Sequence, residues 1–522
     1  MSCLLRTPLL RIPFIYRCAL SQTQHTSPKH PSNVIPDPRS VAILVIGDEI
    51  LKGQTQDSNS YFLCHRLRLY GHLVTRISIV GDCEFAIAAE VKSLSARHSM
   101  VLTTGGIGPT HDDVTFAGVA RAFGQPLVEH PELLSLCQQF FGPSMPGSPH
   151  LKLACVPATA TLNYGHDPTT GDRLPFPVVS VGNVFVFPGI PALLERSFEG
   201  LEHLFRNGSQ TISTELYLVS DEVSVAGVLS EAQAAFTDLV SIGSYPDWQS
   251  NYHRVKVTVD GLSKYHVEHA KRWIVERLPS AAFIKLETRP ELVAEERVYA
   301  LAEKDSELGG RVREALNIIN ATLSQHLLSE LSLAFNGGKD CTALLHLLHA
   351  ALCRKFPTKK KSLLCLYVRQ PESFPELEKF IEQTCHRYAV KLRVLEGGLL
   401  ESLAEFRNSN PTVRAVLMGT RATDPSGRNL QEMAPTDPDW PQFMRINPLL
   451  NWSYEDVWAF LRSLHVPYCV LYDRGYTSLG NRRDTERNPA LRYKKPEGIW
   501  SYRPAYTLQQ SDQERTSRKE RP

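Results

Sequence analysis

The segment with the clearest chemical potential is NGGKDC, residues 336–341, which follows the apolar run LSLAF. Gly337 and Gly338 carry no side chains, so their backbone N–H groups can approach an anion closely. A helix predicted to begin near Asp340 points the positive end of its dipole at the same place. Lys339 adds a mobile cation, and Asp340 could hold a Mg²⁺ ion that bridges phosphates. The pattern predicts a phosphate-binding loop that differs from the GxxxxGK[ST] Walker loop.

A second cluster follows the strand-like run AVLMG, at an edge where α/β sheets place ligands. Arg421 could form a forked contact with a phosphate, and Asp424 precedes a proline in a fixed turn. Further along, Asp437 and Trp440 could supply a hydrogen-bond acceptor and a stacking face for a planar heterocycle. The alternative interpretation of Trp440 is a packing role.

A third cluster, VPYCVLYDRGYTSLGNRRDT at 466–485, is rich in Gly, Tyr and Arg. Its adjacent Arg482 and Arg483 could clamp a phosphate. The alternative is a solvated basic loop.

In this order, the three clusters resemble the eukaryotic FAD synthase family, the FMN adenylyltransferases of the pyrophosphatase-loop type. The resemblance covers about residues 311–510 and rests on NGGKDC, FPE, GTRxTDP, PTDxxWPxFMRxxP and LYDxGYTSLG. The sulfur-reductase branch of this superfamily carries a C-terminal catalytic cysteine, and no cysteine follows Cys469 here. The resemblance therefore implies adenylyl transfer from ATP to FMN, giving FAD and pyrophosphate, with Mg²⁺ as cofactor.

The resemblance also implies a role for each matching residue. ATP would be bound by Asn336, Gly337, Gly338, Lys339, Asp340 and Cys341. The flavin would be bound by Arg421, Thr423, Asp424, Asp437, Trp440 and Arg445. Catalysis would fall to Lys339, Asp340, Arg482 and Arg483, with Asp340 as the candidate Mg²⁺ ligand.

The N-terminal half carries its own pair of motifs, GDEILKGQTQDSNSYFL at 47–63 and TTGGIGPTHDDVT at 103–115. Each lies where a predicted strand passes into a helix, so the glycines allow close approach to a phosphate or pterin. The pair resembles the molybdopterin-binding domain in its CinA-like form. For this half the resemblance implies hydrolysis of FAD to FMN and AMP, with Asp48, Asp112 and Asp113 as candidate site residues. The alternative is a retained fold that no longer catalyses.

Alternating strand and helix patterns predict an α/β protein with two doubly wound, parallel-sheet domains. One is molybdopterin-binding-like and the other PAPS-reductase-like, and a small α+β domain of order βαββα joins them. The predicted boundaries are a leader at 1–38, the molybdopterin-binding-like domain at 39–205, the connecting domain at 206–300, the synthase domain at 301–510 and a loose polar tail at 511–522.

Composition limits the partners of this 522-residue chain. Its 57 Lys and Arg residues nearly balance its 55 Asp and Glu residues, which gives no electrostatic reason to expect nucleic acid. No run approaches the roughly 18 apolar residues of a membrane span. The leader is basic and lacks acidic residues before Asp37, which is typical of mitochondrial transit peptides. We expect a matrix location for this form, and a cytoplasmic one if the leader is absent.

Two other functions fit the same motifs. A molybdenum-cofactor protein would use the N-terminal half for molybdopterin and the C-terminal half as an adenylating helper. A flavin-delivery module would bind FAD and pass it to apo-flavoprotein clients. The intact NGGKD loop argues against delivery as the sole role.

Overall fold

The computed structural model describes residues 37–142, 148–167, 170–206, 210–357, 363–425 and 427–518. These residues form two compact units that divide between 211 and 212. Almost all of the predicted leader, residues 1–36, lies outside the described residues, and so does the transit signal expected there. In the described part of the chain, no helix has both the length and the hydropathy to cross a bilayer.

The first unit is built on a six-stranded sheet. The unit contains eight strands, of which β4 and β5 form a separate antiparallel pair outside this sheet. The strands are β1 (Ser40–Ile46), β2 (Leu73–Val80), β3 (Met100–Thr104), β4 (Leu127–Glu129), β5 (Cys155–Pro157), β6 (Thr161–Asn163), β7 (Val178–Val181) and β8 (Val184–Phe187). Its helices are α1 (Asp48–Leu51), α2 (Asn59–Leu69), α3 (Glu84–Ser95), α4 (Thr115–Ala122), α5 (Pro131–Phe141), α6 (Pro191–Gly200) and α7 (Glu202–Phe205).

The sheet of this unit runs in the order β2-β1-β3-β8-β7-β6. The first four strands are parallel, and β7 and β6 add an antiparallel edge. β1 is buried along its whole length because separate apolar cores lie on its two faces. The predicted doubly wound domain is confirmed, with a mixed rather than fully parallel sheet.

The second unit begins with a small α+β domain. Its elements are β9 (Ile212–Leu218), α8 (Glu222–Ala235), β10 (Val240–Pro246), β11 (Val255–Gly261), α9 (Lys264–Arg277) and β12 (Phe283–Ile284). The antiparallel sheet has the order β10-β11-β9-β12, and both helices pack against it. The βαββα order is confirmed, and the short β12 completes the sheet edge.

A second six-stranded sheet follows, in the order β15-β14-β13-β16-β18-β17, parallel except for β17. Its strands are β13 (Leu331–Ala334), β14 (Leu364–Arg369), β15 (Lys391–Glu396), β16 (Ala415–Leu417), β17 (Met433–Pro435) and β18 (Met444–Ile446), and β19 (Arg492–Lys494) pairs with β20 (Trp500–Tyr502) outside it. Its helices are α10 (Ala294–Ala302), α11 (Glu307–Gln325), α12 (Lys339–Lys355), α13 (Pro375–Arg387), α14 (Leu399–Ser409) and α15 (Tyr454–Ser463).

Two segments are more ordered than their composition suggests. The charged stretch before residue 311 contains α10, whose Val298 is fully buried in the hydrophobic core of the C-terminal α/β domain. The apolar residues of α10 recur at helical spacing on one face, and glutamates lie on the other. The high charge of the stretch therefore made its buried face hard to recognise from composition. The tail expected to be loose from 511 forms a short 3₁₀ turn, Ser511–Arg515, in which Glu514 is buried.

Helix α12 lies at the centre of the C-terminal α/β domain and is buried on nearly every side. Its His346 is 1% exposed, and its Nδ1 atom lies 2.8 Å from the Tyr388 hydroxyl oxygen. Burial lowers the pKa of His346 to about 3. The folded chain therefore keeps this imidazole neutral at pH values where the unfolded chain protonates it.

This difference predicts that acidification destabilises the fold through His346. From about pH 6.5 downward the unfolded state binds the proton and the folded state does not, which costs up to about 1.4 kcal/mol per pH unit. We expect His346→Asn to flatten the decline of the free energy of unfolding between about pH 6.5 and 4.5, measured by urea titration. His386→Asn, at an exposed position on α13, is the control and should keep the wild-type slope. Equal slopes for all three proteins would contradict the prediction.

Candidate active site

The phosphate loop joins β13 to α12 through a tight turn. Gly337 has a φ of 72°, and a Cβ atom there would lie 2.7 Å from the Leu377 side chain. The Asn336 Oδ1 atom accepts hydrogen bonds from the Gly338 N–H (3.0 Å) and the Cys341 thiol (3.1 Å). Burial raises the pKa of Cys341 to about 12, so this thiol is a protonated packing group rather than a nucleophile.

Four charged residues lie at the start of α12, and we name them the charge cluster: Lys339, Asp340, Arg421 and Glu514. All but Asp340, which is half-buried, are buried. Lys339 Nζ lies 2.9 Å from Asp340 Oδ2 and 2.5 Å from Glu514 Oε1. The Arg421 guanidinium lies 2.9 Å from Asp340 Oδ1 and 2.6 Å from Glu514 Oε2. Two cations thus alternate with two carboxylates in a closed ring that is neutral overall.

The electrostatics of the charge cluster follow from this ring. The Lys339 and Arg421 side chains are 2% and 1% exposed. Burial by itself raises the pKa of Asp340, but the positive charges of Lys339 and Arg421 outweigh it and hold that pKa below its usual value. Each charge therefore stabilises the ionised form of its neighbours and fixes their positions.

The GTR loop, residues 419–425, approaches the phosphate loop through Gly419. A Cβ atom at Gly419 would lie 2.9 Å from the backbone nitrogen of Cys341 in α12. This close approach places the Arg421 side chain beside Asp340, at the start of α12. Asp424 Oδ2 accepts the Arg421 backbone N–H at 2.9 Å, which closes the turn before the proline.

A cavity of about 650 Å³ opens between these loops at the carboxyl edge of the sheet. Its lining includes Lys339 and Asp340 of the phosphate loop together with Asp437 and Trp440. Arg445 donates a hydrogen bond to the Pro435 carbonyl (2.8 Å) and lies 3.4 Å from Asp437 Oδ1. The apolar part of the wall is formed by Leu366, Val368, Leu399, Leu403, Val416 and Phe443. The cavity can thus take a planar apolar ring and a phosphate chain together.

The C-terminal segment supplies cavity residues that the sequence reasoning missed. Arg515 and Arg518 line the cavity beside Glu514. Arg515 pairs with Asp424 Oδ1 at 3.0 Å. Arg518 donates to the Leu479 carbonyl (2.7 Å) and passes over Gly480, where a Cβ atom would overlap its guanidinium. The i, i+3 spacing of the two arginines was a weak available signal, hidden in a composition typical of loose tails.

The predicted site residues divide into two groups. Those that line the cavity are Asn336, Gly338, Lys339, Asp340, Cys341, Asp424, Asp437, Trp440 and Arg445. Those outside the lining are Gly337, Arg421, Thr423, Arg482 and Arg483. Arg421 lies behind the wall in the charge cluster, and the Arg483 side chain is 75% exposed and pairs with Glu372. The catalytic role predicted for Arg482 and Arg483 therefore has no support from their positions.

Metal binding was tested against the donors present. Within the described ranges, no group of three or more His, Cys, Asp or Glu side chains could hold a metal ion. The carboxylate of Asp340 is already engaged by Lys339 and Arg421. The described residues beside this cavity therefore show no metal site built by the protein alone, and the role of Asp340 as a Mg²⁺ ligand stays a prediction.

The N-terminal unit has a cavity of its own, of about 810 Å³, beside the glycine-rich loop. Gly105 is required there, because a Cβ atom would lie 2.0 Å from the Ile46 carbonyl oxygen. Asp113 lines the cavity and accepts the Thr110 backbone N–H at 2.8 Å. Most other lining side chains are apolar, including Leu133, Phe141, Leu174 and Phe176.

The other two aspartates predicted for this site lie outside the cavity lining. Asp48 pairs with Lys52 at 2.8 Å, and its backbone N–H donates to Asp82 Oδ2 at 2.9 Å. Asp112 is more than half exposed. The structure therefore brings only Asp113, of the three, to the cavity.

Three protein-family models match this chain. Residues 42–207 match the probable molybdopterin binding domain, 210–287 the FAD synthase middle domain, and 330–412 with 400–487 the phosphoadenosine phosphosulfate reductase domain. The fold and site thus define an α/β protein that combines a molybdopterin-binding-like domain with a PAPS-reductase-like domain.

The chain is 36% identical to a probable FAD synthase of Caenorhabditis elegans, over 93% of this chain and 98% of that relative. It is 30% identical to the flavin adenine dinucleotide synthase of Saccharomyces cerevisiae, over 37% of this chain and 72% of that relative. The crystal structure of Candida glabrata FMN adenylyltransferase with FMN and an ATP analogue matches 45% of this chain and 97% of its own, at 26% identity and a TM-score of 0.41. The chain belongs to the FAD synthase family.

The close approach at Gly419 generates a prediction. Gly419→Ala should force the GTR loop away from α12 and lower FAD formation about 100-fold, because misplaced groups in a site are costly. The measurement is kcat of the full chain with FMN and ATP, alongside circular dichroism to show that the fold persists.

Gly310→Ala is the matched control, since Gly310 lies in α11 with nothing near its Cβ position. This change should leave kcat unaltered and stabilise the helix by about 0.5–1 kcal/mol. Equal activity of the two alanine variants would contradict the prediction.

Proposed function

We propose that this chain transfers the adenylyl group of ATP to the phosphate of FMN, releasing FAD and pyrophosphate. The observation that carries the proposal is one cavity whose lining combines residues of the phosphate loop with Trp440 and Asp437. A flavin ring fits the apolar and aromatic part of this lining, and a triphosphate fits the charged part.

The chemistry needs no strong general base, because the FMN phosphate is already an oxyanion near pH 7. One of its oxygens forms a bond to the α-phosphorus of ATP. The bond from that phosphorus to the bridging oxygen of the β-phosphate breaks, and pyrophosphate leaves with the electron pair. The protein aligns the two groups and neutralises the developing charge.

The backbone N–H groups of the loop are ready for this exchange. In the structure, the Gly338 N–H donates to Asn336 and the Lys339 N–H donates to the Tyr472 hydroxyl at 3.0 Å. Both acceptors are neutral oxygens, and charged phosphate oxygens make stronger bonds to the same donors. The leaving pyrophosphate would take their place at the start of α12.

Further positive charge must come from outside the charge cluster, because that cluster is neutral by itself. Arg515 and Arg518 line the same cavity and are the groups that we assign to the triphosphate. In this proposal Mg²⁺ enters with the phosphates of ATP, and no step depends on a protein ligand for it. A requirement for Mg²⁺ is tested by adding EDTA to the assay and restoring the ion.

This assignment predicts that kcat/KM for ATP falls when an arginine of the cavity is replaced and stays nearly unchanged when an exposed arginine is replaced. Arg515→Gln and Arg518→Gln should each lower kcat/KM for ATP about 100-fold, since one lost electrostatic contact in a transition state costs about 3 kcal/mol. Arg483→Gln, the exposed control, should change it by less than about threefold. If Arg483→Gln lowered kcat/KM for ATP more than Arg515→Gln and Arg518→Gln did, the phosphate contacts would be assigned to Arg482 and Arg483 instead.

We further propose that the N-terminal cavity hydrolyses FAD. Water would attack the pyrophosphate of FAD and release FMN and AMP. The supporting observation is a glycine-rich loop at one side of a largely apolar cavity that also contains Asp113. The same shape suits a molybdopterin, so the assay compares the two ligands.

The hydrolase proposal predicts that Asp113→Asn lowers release of AMP from FAD by at least about tenfold. Asp48→Asn and Asp112→Asn, outside the cavity lining, should stay within about threefold of the wild-type rate. Release of AMP by the wild-type chain is measured by chromatography. Bound pterin without any AMP release would overturn the hydrolase proposal.

Two further parts of the proposal concern the cell. The leader-bearing chain would act in the mitochondrial matrix, and a chain without it in the cytoplasm, which imaging of both forms tests. The FAD product would pass to apo-flavoproteins, and transfer to a purified apo-enzyme without free FAD in solution is the corresponding test.

A further inference from the structure

The small α+β domain carries a loop that reaches into the synthase domain. This loop, residues 247–253, joins β10 to β11, and we name its Asn251 and Tyr252 the clasp. Tyr252 is 8% exposed and packs in the hydrophobic core of the synthase domain rather than in that of its own domain. Its hydroxyl lies 2.9 Å from the Leu461 carbonyl oxygen and 2.7 Å from the Val466 carbonyl oxygen.

Asn251 makes three polar contacts with the synthase domain. Its side-chain amide donates to Asp473 Oδ2 at 2.8 Å, and its side-chain oxygen accepts the Tyr468 backbone N–H at 3.0 Å. Its backbone carbonyl accepts a hydrogen bond from the Arg462 guanidinium at 2.8 Å. Asn251 therefore provides hydrogen-bond partners for Arg462, Tyr468 and Asp473, which lie in three different segments of the synthase domain.

The clasp acts on the same turn that contacts the phosphate loop. Asp473 and Tyr472 are neighbours in the 3₁₀ turn Val470–Arg474. Tyr472 is 2% exposed, and its hydroxyl accepts the backbone N–H of Lys339 at 3.0 Å. The path from the α+β domain to the first residue of α12 thus consists of two hydrogen bonds and one short turn with Tyr472 buried in it.

The hydrogen bond from Asn251 to Asp473 is important because the Asp473 carboxylate is shielded from water. Burial raises the pKa of Asp473, and the hydrogen bonds from Asn251 and Tyr468 act in the opposite direction. Without the amide of Asn251, a largely buried carboxylate would lose a donor, and the turn would shift to find another. A shift of Tyr472 would move the N–H of Lys339, which belongs to the phosphate loop.

We propose that Asn251 is a positioning residue for the synthase reaction, through which the α+β domain holds the phosphate loop in its reactive arrangement. This inference rests on the proposed synthase activity. The inference gives the α+β domain a role beyond joining the other two domains. It implies that the synthase domain can fold without the side chain of Asn251, but that its phosphate loop is then not held in the reactive arrangement.

The test is steady-state kinetics of the full chain with FMN and ATP. Asn251→Ala should lower kcat about tenfold, while KM for FMN changes by less than about twofold, because Asn251 is not among the residues that line the cavity. Gln249→Ala, at an exposed position of the same loop, is the matched control and should match the wild type. Thermal unfolding of each variant shows which of them fold.

Asn251→Asp provides a readout that a packing role would not move. It places a second carboxyl group beside Asp473, and two such groups share one proton at lower pH. The groups that also face Asp473 are Tyr252, Arg254, Arg462, Tyr468 and Cys469. Relative to the wild type, Asn251→Asp should be active at about pH 6, where the shared proton restores a donor, and lose activity at about pH 8.

The outcomes separate this inference from the proposed function. No FAD from the wild-type chain would overturn the synthase assignment itself. FAD from the wild type, with kcat of Asn251→Ala equal to that of Gln249→Ala, would overturn only the positioning role. If Asn251→Ala does not fold, the ratio of Asn251→Asp activity at the two pH values decides, and a ratio equal to that of the wild type would overturn the inference.

Discussion

The structure of the synthase site depends on the closed ring of charges formed by Lys339, Asp340, Arg421 and Glu514. A buried ion pair adds little net stability, because removing charges from water costs about as much as their attraction returns. Removal of one member is nevertheless expensive, at about 3–5 kcal/mol, since it leaves a partner uncompensated. The ring therefore defines a geometry more than it stabilises the fold.

That geometry joins three segments that are far apart in the chain. The phosphate loop supplies two members of the ring, the GTR loop supplies Arg421, and the C-terminal turn supplies Glu514. Lys339 and Glu514 are 175 residues apart in sequence. Closure of the ring requires all three segments in place, and the C-terminal segment that supplies Glu514 also brings Arg515 and Arg518 to the cavity. The parallel sheet makes this possible, since it delivers the loops after β13 and β16 to one edge.

Local patterns predicted much of this. The alternation of strand and helix patterns indicated two α/β domains, and the double glycine at 337–338 indicated the loop between β13 and α12. Ser453 and Asp456 have the three-residue spacing of a helix cap, and the structure shows the reciprocal capping box between them. These features are fixed by neighbours in the chain, so sequence reasoning reaches them.

Long-range partners were the part that the sequence could not reveal. Arg421 was expected to contact a ligand, but Glu514 and Asp340 bury its guanidinium behind the cavity wall. Glu514 itself lies in a polar stretch whose composition is typical of disorder, and no periodicity marks its buried position. Arg482 and Arg483 looked suited to phosphate, but their loop pairs with Glu372 instead. Each difference comes from a contact between segments distant in sequence.

The measurement that tests this account most directly follows the phosphates of ATP through the reaction of the full chain. ATP labelled at its γ-phosphate is incubated with FMN, and the products are separated by chromatography. Adenylyl transfer predicts that the label leaves in pyrophosphate, in a 1:1 ratio with FAD formed, because the bond between the α- and β-phosphates breaks. Label released as single phosphate with ADP, or no FAD at all, would contradict the account.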